Sequence, residues 1–162
     1  MRNIVLVIIS SIAAALLGYA FSFTGYINLV WVGAVVFFVS DWVTEAVIFA
    51  VLGGLLTDLL LHSNAGVTGL SVLVALSMYL LAKAAGVASK RWQKMIAVVV
   101  VFCLCFAVDA VVRSLLGTSV EAGDLIEFWS TGVIVNSLLT FGGILALRQV
   151  ERTATSGRKV KL

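Results

Sequence analysis

The residues able to do chemistry are few and far apart. The chain has 162 residues, with eight acidic side chains, eleven basic ones and a single histidine, His62. Asp58 stands near the end of an apolar stretch, and Asp109 and Arg113 stand four apart in a later one, on one helix face. A charge at the centre of a membrane span costs about 2.5–3.5 kcal/mol, so it persists where it is paired or used. The spacing predicts a charge cluster in which Arg113 is shared between Asp109 and Asp58, with His62 joining from the rim. Such a cluster serves either as a proton or ion relay or as a clamp between two helices. Opposite charges one helix turn apart favour the clamp.

Asp58 and Asp109 are also the candidate acid pair for an intramembrane protease. An aspartyl dyad shares one proton between its acids, and an arginine one turn from Asp109 is the wrong neighbour for that role. There is no G-x-S-x-G and no phosphate-binding glycine loop, and one histidine supplies neither a metal cluster nor a Ser/His arrangement. We therefore expect no enzyme, no cofactor and no metal site. Cys103 and Cys105 lie two apart in an apolar run, too close to bridge usefully.

Small and weakly polar residues give a second pattern. Ala50, Gly54 and Asp58 are four apart, with Gly53 widening the strip. Ser71, Ala75, Ala82 and Gly86 approximate one face of a following helix. Gly132, Asn136, Thr140 and Gly143 make a narrow polar stripe near the end of the chain. Stripes of this kind let helix backbones approach and hydrogen-bond in lipid. They serve packing within one bundle or the seating of another protein's membrane helix. Asn136 is the residue least expected to face lipid.

Whatever these residues do, long apolar helices must position them. Apolar residues make up 62% of the chain and charged residues 12%; mean hydropathy is +1.15, and proline is absent. A soluble domain is about a quarter charged. The pattern predicts an all-α membrane protein, a six-transmembrane-helix bundle, as one domain over 1–150 with a basic tail over 151–162. The spans fall at about 4–23, 29–42, 43–61, 67–87, 95–116 and 131–147, each near the 20 residues that a crossing needs except the short second one. An acidic loop, 117–130, precedes the last. The first run is too long for a signal peptide's apolar region and is read as a retained helix.

Basic residues flank alternate connections: Arg2, then Lys90, Arg91 and Lys94, then Arg148, Arg152, Arg158, Lys159 and Lys161. With six crossings all fall on one side, and the positive-inside rule puts both termini in the cytoplasm. Glu121, Asp124 and Glu127 fall on the other side. The net charge of +3 is thus a matter of topology, and no nucleic-acid partner is expected. Trp31, Trp42, Trp92 and Trp129 are read as interface residues, and the basic tail as resting on anionic lipid.

With these residues placed, the chain resembles the rod shape-determining protein MreD family. The resemblance rests on Gly54 and Asp58 in GLLTDLL, the turn HSNAGV and the small-rich helix starting near Gly69. The connector with Trp92 and Gln93, VDAVV around Asp109, FWS at Phe128–Ser130 and VNSLL around Asn136 follow in order. It covers about Val51–Glu151. MreD relatives often carry prolines after the third-helix turn and in the last helix, and this chain has none.

The resemblance implies a non-enzymatic scaffold of the bacterial wall-elongation machinery in the cytoplasmic (inner) membrane. Its implied partners are the bitopic protein MreC, the elongation penicillin-binding protein with its glycosyltransferase partner, and indirectly the MreB filament. It also implies a fold like that of the substrate-binding subunits of energy-coupling factor transporters. Asp58 and Gly54 then match the third-helix motif, Asp109 the fifth-helix acid and Asn136 the last-helix amide, as structural or partner-contacting residues. The alternative is a vitamin-capturing subunit of an energy-coupling factor transporter. That role needs an outward cavity lined by Asn28, His62, Asn64 and the acidic loop. A channel or proton-coupled carrier ranks last, because the inner halves of the third and fifth spans are apolar.

Overall fold

The computed structural model describes residues 4–20, 27–62, 65–85, 91–117 and 122–158; side chains are described neither for Arg91 nor over 122–128 and 150–158. It is all-helical, with six helices: α1 (Ile4–Ala20), α2 (Leu29–Val39), α3 (Val43–Leu60), α4 (Val67–Ala84), α5 (Arg91–Leu115) and α6 (Ala122–Arg158). Four helices, α3 to α6, contain stretches long and apolar enough to cross a membrane, and α1 and α2 are shorter apolar helices.

α2 occupies the centre. It packs against α1, α3, α4 and α6, and Val30, Trp31, Val32, Ala34, Val35 and Phe38 are all buried. At 1.5 Å per residue it is about 16 Å long, roughly half the hydrocarbon thickness of a bilayer. A three-residue turn, Ser40 to Trp42, reverses the chain into α3. Asp41 takes φ 65° in that turn, a left-handed conformation that Asp tolerates better than most side chains.

α1 lies on α3 and α2 through a face of Val7, Ser11 and Ala15, spaced four apart. α3 packs on α4, α4 on α5 and α5 on α6, which closes back onto α2. The outward faces stay apolar: Leu6, Leu59, Leu81, Leu138 and Leu145 are all exposed. A bundle in water would bury such residues, whereas in a bilayer they meet lipid.

The last helix departs from expectation. α6 starts at Ala122, inside the segment expected as an acidic loop, and runs without a break to Arg158, through most of the expected tail. Two other helices stop short of the expected spans, α2 at Val39 and α4 at Ala84, while α1 is described as far as Ala20. The turn at 21–26, Asn64, Gly86, Lys90, Glu121 and the last four residues lie outside the described residues.

Candidate functional site

The polar residues of the apolar core gather at one end of the bundle, where α3 ends and α2 and α4 begin. In lipid, no water is available for the free N–H groups of a helix's first turn, so the protein must supply acceptors. Two helix starts meet here, and each is capped by a side chain.

Asp58 caps α4. Its Oδ2 accepts from the backbone N–H of Gly66 at 2.8 Å and of Thr68 at 3.0 Å, and its Oδ1 accepts from the Thr68 hydroxyl at 2.6 Å. Asp58 is 0% exposed. The positive end of the α4 dipole adds to these charge-assisted bonds. Gly66 makes the approach possible, since its φ of 93° is strained for any residue with a Cβ.

Asn28 and Asn136 cap α2. The Asn28 side chain accepts from the Trp31 N–H at 3.1 Å, and the Asn28 N–H donates to Asn136 Oδ1 at 2.9 Å. Asn136, also 0% exposed, donates through Nδ2 to the Gly132 carbonyl at 2.7 Å on its own helix. Trp31 links the two caps: its indole N–H donates to the Thr68 carbonyl at 3.0 Å. A continuous path of hydrogen bonds thus runs from α3 through α4 and α2 to α6.

Close backbone packing surrounds this junction. A Cβ on Gly54 would stand 2.5 Å from the Cα and N of Gly69, so α3 and α4 are in backbone contact. A Cβ on Gly132 would stand 2.5 Å from the Phe106 ring, and one on Gly143 would stand 2.8 Å from Val36. Phe106 in turn meets Trp31 edge to face, with centroids 4.9 Å apart. Thr140 is fully buried. Gly54, Gly132 and Asn136 therefore contact neighbouring helices of their own chain.

Arg113 was expected to be shared between Asp109 and Asp58. Arg113 pairs with Asp109, Nε to Oδ2 at 2.8 Å, within α5. Asp58 lies within Coulombic reach of Arg113, and its carboxylate also accepts from the start of α4. His62 is exposed at φ 50°, and no hydrogen bond among the described residues ties it to the cluster.

Trp31 and Thr68 are the members that the sequence reading missed. Trp31 was expected at the membrane interface and is 2% exposed in the core. Asn28, three residues ahead of Trp31, has the N-cap spacing that would have flagged it. Nothing local marks Thr68, whose partners lie on other elements. Among the described residues no group of three or more His, Cys, Asp or Glu side chains is placed to hold a metal ion, and Cys103 and Cys105 are free thiols.

At the opposite end, Lys83 of α4 forms an ion pair with Asp41 in the α2–α3 turn. The Lys83 ammonium holds the Asp41 carboxyl below the usual carboxylate range, with Lys94 adding a weaker attraction.

No family model matches the chain, and neither a curated protein nor a solved structure was found to be similar to it.

Proposed function

We propose that this chain is a six-span scaffold of the bacterial cytoplasmic membrane, with both termini in the cytoplasm. In this reading it serves wall elongation by holding an MreC-like bitopic protein and, through it, the penicillin-binding synthase. The observation that carries the reading is the role of the residues behind the MreD resemblance. Asp58 and Asn136 cap helices, and Gly54 seats one helix backbone on another. Side chains engaged in this way are spent on rigidity rather than on a reaction or a translocation path. A rigid bundle with an apolar exterior suits a protein that orients the single membrane helix of a partner.

Depletion of the protein from its own host tests the reading in cells. Loss of rod shape with swelling, reversed by the wild-type chain and not by Asp58→Ala, is the expected outcome. Unchanged cell shape after full depletion would remove wall elongation as the function.

A further inference from the structure

An apolar cleft of about 110 Å³ opens between the C-terminus of α2, the first turns of α5 and the middle of α6. Val39, Val98, Phe141 and Ile144 contribute its apolar lining, and Lys94 and Arg148 contribute its two cations. Val98 and Ile144 are buried. Met95 and Leu145 also line it and are half exposed or more, so the cleft is continuous with the apolar outer surface of the bundle.

Among the described side chains at this end, Lys83, Lys94 and Arg148 are cationic and Asp41 and Glu45 anionic. Among the described residues, neither the Lys83–Asp41 nor the Arg113–Asp109 salt bridge uses Lys94 or Arg148. The nearby carboxylate, Asp41, already pairs with Lys83. Two cations thus border an apolar slot that opens sideways onto the lipid-facing surface.

We propose that this cleft binds one anionic phospholipid, with an acyl chain against Val98 and Ile144 and the headgroup phosphate between Lys94 and Arg148. Charge complementarity selects the headgroup, and the sideways opening lets the chain enter from the bilayer. A zwitterionic lipid offers the same tail without the net charge. The site lies at the end of the bundle opposite Asp58 and Asn136, and it holds whether or not the scaffold reading does.

Native mass spectrometry of the detergent-purified protein, titrated with dioleoyl phosphatidylglycerol or dioleoyl phosphatidylcholine, tests this. A basic residue near an anionic lipid contributes about fivefold in affinity. We expect one phosphatidylglycerol to bind at least tenfold more tightly than phosphatidylcholine. Lys94→Gln and Arg148→Gln should each weaken it about fivefold, while Lys94→Arg and Arg148→Lys retain it. The charge-matched control Arg158→Gln/Lys159→Gln, in the tail, should bind as wild type does. Equal affinity for the two lipids in the wild-type protein would overturn the site without recourse to any variant. So would full binding by the double variant Lys94→Gln/Arg148→Gln, or equal weakening by the tail control.

Discussion

Asp58 shows how one carboxylate is used when lipid surrounds the fold. Its three bonds to Gly66 and Thr68 satisfy the free donors of a helix start. Asp58→Ala should destabilise the protein by about 3 kcal/mol or more, since a bond to a charged group is worth about 1.5–3 kcal/mol. Asp58→Asn keeps one oxygen for the two backbone N–H groups and turns an amide NH2 towards the Thr68 hydroxyl, which can accept, and should cost only about 1 kcal/mol. Unfolding in mixed micelles measures both, and equal losses would argue that charge rather than capping matters. Asp109→Asn and Arg113→Ala should each cost about 1 kcal/mol, because their pair is partly buried within one helix; unchanged stability in both would remove the clamp.

Asp41 is the residue whose titration is readable. Its carboxyl titrates below 3.8 in the folded chain because Lys83 binds the ionised form. The resulting stabilisation is present above the unfolded value and is lost as pH falls through the lowered one. Asp41→Asn, which keeps a side chain suited to φ 65°, should be slightly less stable than wild type at pH 7. That gap should close as pH falls through the lowered value of the folded chain. The effect is small, because both partners are largely solvated. A gap that persists in acid strong enough to protonate Asp41 in both states would mean that the pair is not its source.

At the scale of the helices, the glycines divide into seats and spectators. Gly54→Ala pushes a methyl group into the backbone of Gly69, which cannot rotate away, and should cost about 1–3 kcal/mol. Gly142→Ala meets nothing within 4 Å and should be neutral or slightly stabilising. Thermal unfolding of the two variants side by side checks this. Equal effects would mean that α3 and α4 are not in backbone contact.

Most elements were legible in the sequence because apolar runs bounded by turn residues mark helices directly. The starts of α1 to α4 fall where the hydropathy places them. The apolar stretch of α6, Trp129–Gln149, falls where the sixth span was expected. The helix runs beyond it at both ends, because Gly123, Asp124 and Glu127 end an apolar window without ending a helix. A polar helical extension outside the lipid leaves no hydropathy signal. Gly54, Asp58 and Asn136 stood out as polar or small residues in apolar surroundings. Their partners did not, since Thr68 and Trp31 come from helices whose register only the packed bundle fixes. Trp31 was misplaced for that reason: a tryptophan near a span end fits the interface equally well until Thr68 is beside it.

At the scale of the whole molecule, the two ends of the bundle differ. One end is tied by a path of hydrogen bonds across α3, α4, α2 and α6. The other carries the Lys83–Asp41 ion pair and an apolar cleft bordered by Lys94 and Arg148. Between them the surface is apolar, and that is where a partner's membrane helix would lie in the scaffold reading. Affinity purification of the tagged protein from its native membranes in mild detergent, with mass spectrometry of what is retained, tests that reading most directly. Recovery of an MreC-like bitopic protein together with an elongation penicillin-binding protein is the expected result. Recovery of a membrane coupling subunit with its two ATPases, and no MreC-like protein, would contradict the scaffold and favour vitamin capture.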